Sequence, residues 1–374
     1  MPYCVALKLS RSILCRPGDI YYSMAQLCYV PIIHHYCARR KQVKLLPYPE
    51  KPIFQCYHDK AFQVGIIQGN APEETKKWAC TKYLNCVFAP KVPNKFIIIE
   101  DDDWGVKEHL VTQQFFQMQR EFLIHFKMDL LYILKTAIYK NYYIYGIYNE
   151  KYIPTKRSYR QRDFMHDFLL IGCDDDKFIS VGYVSNGTFR KFEISNADML
   201  DSLHGLSGTE MNLRMISYNI DAQPTPNYKR MIEKLTQYIS TSDYLAHSTP
   251  DEESHGIASN IRLREFFTNE VDLGKIYVDH RYSRALYEHK WVLAQLVDQF
   301  LEDGNEKRRH QEWASKDLQR AHLVHMLGMK MSYTGDARII TRVADLMNQI
   351  IEDETQNIPV LLNLLQTKYS KYLP

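Results

Sequence analysis

The chain has 374 residues, 45% of them hydrophobic, which is ample for buried cores and speaks against global disorder. Its 47 Lys and Arg against 44 Asp and Glu leave a formal charge of +3, far from the basic excess of a dedicated nucleic-acid binder. It contains no apolar run of about eighteen residues, the length a membrane span needs, so a soluble protein without a membrane partner is expected.

In chain order, residues 1–49 read as a lead-in packed on the first domain. Lys8, Arg11, Arg16 and Asp19 interrupt the apolar residues there, unlike the core of a secretory leader. The stretch HHYCARRKQ carries His34, His35 and Cys37, but these make no closed zinc pattern with His58, and no metal is expected. The eight cysteines form no CxxC pair and are too sparse for a disulfide scaffold, so reduced thiols in a cytoplasmic protein are the simplest state.

Residues 50–208 form an α+β domain. Helical spacing is expected over 57–68 and again over 110–138, where Leu110, Phe115, Met118, Phe122, Phe126, Leu130 and Leu134 recur. Strands are expected at 95–100, 142–148, 167–172, 177–184 and 188–194, rich in β-branched and aromatic residues and separated by turn formers. Residues 209–374 change to amphipathic helices and form a mostly helical C-terminal domain.

Two residues suggest chemistry. Cys56, in PIFQCYHDKAFQVGIIQGN, stands near the start of a helix, where unpaired N–H groups and the helix dipole favour a thiolate and could hold an oxyanion. His166 heads the strand HDFLLIG and would be its base. The bland readings are a buried apolar cysteine and a structural histidine. The acidic runs Asp101–Asp103 and Asp174–Asp176 lack the spaced ligands of a cation loop and read as solvated turns.

The stretch MHDFLLIGCDDDKFISVGYVSNGTFRKFEISNADML resembles the papain-like butirosin biosynthesis acyltransferase family, whose pattern runs His, x, three apolar residues, x, Gly-Tyr-Asp-Asp. Cys173 stands where Tyr is usual. GIASNIRLREFF and VDHRYSRALYEHKWVLAQLV are similar to segments of that family's helical half, so the resemblance covers about residues 50 to 350. It implies a papain-like fold, an antiparallel sheet plus helices, and cysteine-dependent acyl transfer or amide synthesis. Cys56 would take an acyl group from the phosphopantetheine arm of an acyl or peptidyl carrier protein, and His166 would activate the thiol and then an amine acceptor. The chain itself would need no cofactor. Gly182 stands where the family's orienting Asp is expected, which makes Asn186 the candidate third member, and Gln55 is the candidate oxyanion donor. A peptidase or thioesterase, and a degenerate accessory binding protein of the same fold, remain open, as does the oligomeric state.

Overall fold

The computed structural model describes residues 43–89, 96–99, 109–119, 125, 128–206, 210–241, 253–272 and 279–372. Residues 1–42, with His34, His35 and Cys37, and the acidic run 101–103 lie outside the described residues.

The frame is an antiparallel sheet built from β1 (Lys44–Leu45), β4 (Val111–Gln119), β5 (Tyr143–Asn149), β6 (Met165–Cys173), β7 (Lys177–Tyr183), β8 (Phe189–Ser195) and β9 (Glu210–Tyr218). Six strands run in the order β4-β9-β5-β6-β7-β8, and β1 pairs with the end of β6 through Lys44 opposite Cys173. The mixed α+β class expected from the sequence is what forms. From Phe168 onward β6 is buried at every position, because α1 (His58–Asn70) and α3 (Leu130–Tyr139) both pack on it; this explains an unbroken apolar run where an alternating one marks a half-exposed strand. Tyr48 lies flat on α1 where Gly65 leaves room: a Cβ there would sit 2.4 Å from Tyr48 Cζ.

The sequence reading of one helix over 110–138 is corrected. Val111–Gln119 is β4, paired with β9 over nine consecutive positions from Val111 opposite Tyr218 to Gln119 opposite Glu210. Val, Thr and two Phe in that stretch favour a pleated strand once a partner is present. Helix α3 begins only at Leu130, where the Asp129 side chain accepts from Tyr132 N at 3.0 Å. Strand β9 was also missed, and it carries the sheet past residue 208.

Around the sheet lie α2 (Pro72–Lys82), α4 (Asn196–His204), α5 (Tyr228–Ser240), α6 (Ile257–Asp272), α7 (His280–Phe300), α8 (Asn305–Thr334) and α9 (Ile339–Lys368). A small sheet of β10 (Ser254–His255), β2 (Asn85–Phe88) and β3 (Phe96–Ile99) lies beside α5, α6 and α7. Residues from Val43 onward cluster as one compact unit. Between β10 and α6, Gly256 has φ +58°, and a Cβ there would lie 2.0 Å from the Tyr238 carbonyl oxygen. Gly256→Ala is therefore expected to destabilise by more than about 2 kcal/mol, read as a lower melting temperature by circular dichroism; an unchanged melt would refute the tight packing.

Candidate active site

The loop before α1 is held open by the helical half. Glu288 of α7 accepts from the backbone N–H of Gln55 at 2.8 Å and of Cys56 at 3.0 Å, while Tyr183 donates its hydroxyl to Gln55 O at 2.8 Å. This postpones the helix start to His58. Tyr57, which precedes it, has φ 57°, a left-handed conformation uncommon for an aromatic residue and worth about 1–3 kcal/mol of strain.

Cys56 is 2% exposed, and its thiol donates to the Arg281 carbonyl oxygen at 3.1 Å. Burial, and then the Glu288 carboxylate, push this thiol well above the ordinary cysteine range, which keeps it protonated. This is the reverse of the thiolate expected at a helix N-terminus, and no hydrogen bond joins Cys56 to His166 among the described residues. The backbone donors beside Gln55, expected to receive an oxyanion, are occupied by Glu288. Asn186 makes no hydrogen bond to His166 among the described residues: its Oδ1 accepts from Thr188 N at 3.1 Å and Thr188 Oγ1 at 2.7 Å, closing the turn between β7 and β8.

The carboxylate that meets His166 comes from elsewhere. Glu150, in the short turn after β5, has Oε1 3.0 Å from His166 Nδ1. Lys156 lies 3.2 Å from the same oxygen and donates to Tyr183 O at 2.7 Å, with its ammonium over the rings of Phe168 and Phe192. Burial raises the Glu150 pKa, but His166 and Lys156 outweigh it, and the carboxyl is held below its usual range. A Cβ on Gly182 would meet Lys156 Nζ at 3.6 Å, so the side where an Asp was expected faces a cation already served by Glu150.

At the start of α1 stands His58, 8% exposed, its ring stacked between Phe62 and Tyr183 at centroid distances of 4.9 and 5.2 Å. Its Nδ1 lies 2.9 Å from Asp167 Oδ1 on β6, and Tyr145 donates its hydroxyl to Asp167 Oδ2 at 3.0 Å. Burial raises Asp167, but the hydrogen bond and charge of His58, then His166 and Tyr145, bring it down to about 2. An ionised carboxylate only accepts, so His58 carries its proton on Nδ1. Burial lowers the His58 pKa against the opposing pull of Asp167, leaving a neutral ring with Nε2 unprotonated. That nitrogen is buried and has no hydrogen-bond partner among the described residues.

His58, Asp167 and His166 open onto a cleft of about 250 Å³ that Tyr57, Asp59, Tyr183 and Arg281 also line. His166 Nε2 stands 3.7 Å from Asp167 Oδ1, and its ring centroid is 4.8 Å from that of His58. Donor atoms of His58, His166 and Asp167 lie within 4.8 Å of one another, compact enough for a divalent cation in exchange for the bond between His58 and Asp167. The site brings together a histidine oriented by a half-buried carboxylate, a second histidine and an arginine at its rim, groups suited to proton transfer. The sequence reading placed His166 here but missed His58, Asp167, Glu150 and Lys156. The one available signal was that His58 begins the helix two residues after Cys56.

No family model matches this chain, and no curated protein matches it.

Proposed function

We propose that the protein transfers an acyl group directly from a carrier-bound thioester to an amine, with His58 as the general base. His58 Nε2 takes a proton from the amine as its nitrogen forms a bond to the thioester carbonyl. The C–S bond then breaks, and the proton passes from His58 to the departing thiolate. Asp167 fixes the ring and stabilises the imidazolium between those two steps. His166, tied to Glu150, stands at the same cleft as a proton donor to the developing oxyanion.

The observation that carries this reading is the free, buried Nε2 of a neutral His58 whose other nitrogen is committed to Asp167. The acyl substrate comes from the resemblance of residues 164–195 to the butirosin-type acyltransferases, and with it the papain-like arrangement of helix against antiparallel sheet and a carrier protein as partner. The covalent route through Cys56 is the less favoured one, because burial, and then Glu288, raise the thiol, and Glu288 occupies the adjacent N–H groups.

The two routes separate on Cys56→Ser. With acetyl- or octanoyl-pantetheine as donor and benzylamine as acceptor, followed by mass spectrometry, Cys56→Ser is expected to retain transfer within about threefold, since removing a residue outside the proton path leaves the barrier nearly unchanged. An acyl adduct on Cys56 in the native protein, with transfer abolished in Cys56→Ser, would establish the covalent route. Thioester loss with no amide formed would mark a thioesterase, and no turnover with any donor would leave the accessory binding reading.

A further inference from the structure

Beside the cleft, on the same face of the sheet, a second cavity of about 340 Å³ is lined by Phe115, Tyr145, Ile147, Leu213 and Arg214, with Gly146 and Asn212. Its residues follow from the strand register. Phe115 of β4 is opposite Arg214 of β9, and Arg214 is opposite Tyr145 of β5, so the three form one cross-strand row. The Arg214 guanidinium lies over both rings, 5.0 Å from the Phe115 centroid and 5.2 Å from that of Tyr145. Ile147, two residues on, is opposite Asp167. Tyr145 is a shared wall: it lines this cavity and donates its hydroxyl to Asp167, the carboxylate that orients His58.

Two properties define what fits. Phe115 is 73% exposed and Ile147 47%, large apolar side chains at the rim of a concave site that a ligand would cover. Arg214 supplies a delocalised cation between two aromatic faces, an arrangement suited to a planar anion. From these we infer that the cavity binds the amine acceptor, and that the acceptor is an amino carboxylate with an aromatic or apolar body. The carboxylate meets Arg214, the body lies on Phe115 and Ile147, and the amine extends past Tyr145 towards His58. The orientation of the amine rests on the acyl-transfer reading; the carboxylate subsite does not.

The probe is 3-phenylpropanoate, which lacks an amine and cannot react, compared with 3-phenylpropanamide by isothermal titration and saturation-transfer NMR. The acid is expected to bind at least about tenfold more tightly than the amide, the size of one charge-assisted contact. Arg214→Met is expected to remove that preference. Phe115→Ala, at an exposed position where folding is not at risk, is expected to weaken the acid several-fold, and His58→Gln to leave its binding unchanged. Equal binding of acid and amide, or a preference that survives Arg214→Met, would overturn the subsite. Selective binding without any transfer of acyl groups to phenylalanine would instead sink the transferase reading and leave the subsite standing.

Discussion

His58→Gln is expected to lower kcat/KM for acyl transfer by about 10²–10⁴-fold, the usual contribution of a positioned general base, while leaving the melting temperature within a few degrees. Glutamine can still donate to Asp167 from its amide but carries no basic nitrogen. Asp167→Asn should fall by a similar factor for a different reason: an amide in place of the carboxylate no longer holds the proton on Nδ1 or stabilises the imidazolium. The native pH profile should carry the signature of His58. Burial lowers its pKa below the ordinary imidazole value, the Asp167 hydrogen bond and charge oppose this, and the nearby charges of His166 and Lys156 lower it further. The neutral, active form therefore predominates at and above neutral pH, and activity is lost as the medium is acidified through a midpoint below 6.5. His166→Gln removes one lowering charge and should move that midpoint upward. A profile that keeps its acid limb in His58→Gln would remove His58 from the reaction.

The reason this residue escaped the sequence reading is instructive. A helix start opposite the histidine strand was legible, because the β6 run MHDFLLIGC and the helical spacing after Pro52 are strong local patterns. Which side chain occupies that start was not. It depends on Glu288, more than two hundred residues away, whose carboxylate holds the Gln55 and Cys56 N–H groups and sets the helix start at His58. That start puts an imidazole, not a thiol, at the head of α1. Likewise Glu150 reaches His166 because Asn149 and Tyr148 pair with Met165 and His166 across β5 and β6, a register that no local pattern reveals. In contrast, β4 was legible only to composition: Val, Thr and Phe favour a strand, yet its apolar residues also satisfy a helical spacing, and pairing with β9 decided between them.

The largest stability effect is expected in the middle of α7, where Lys290→Met should destabilise the fold by about 3–5 kcal/mol. Lys290 and Glu354 are 1% and 0% exposed, with Nζ 2.5 Å from Glu354 Oε1. Nζ also lies 3.2 Å from both Tyr238 Oη and His289 Nδ1. The other Glu354 oxygen accepts from Tyr238 at 2.8 Å and Asn260 at 2.9 Å, so one carboxylate ties α5, α6 and α7 to α9. His289 donates Nε2–H to Leu84 O at 3.1 Å; burial and then Lys290 push its pKa well down, so the neutral ring turns Nδ1 to the ammonium as an acceptor. Removing Lys290 strands a buried negative charge. Its neighbour Asp317 is already raised to about 8, by burial first and the Glu354 charge second, and it has no capacity to compensate. With an unfolding entropy of about 2 cal/mol/K per residue, the loss corresponds to a melting temperature lower by roughly 5 °C. The double variant Lys290→Met with Glu354→Gln removes both charges while keeping an acceptor for Tyr238 and Asn260, and should recover much of that loss. If the double variant melts lower than Lys290→Met alone, the pair is not acting as a charge couple, and the cost lies instead in the hydrogen bonds of Glu354.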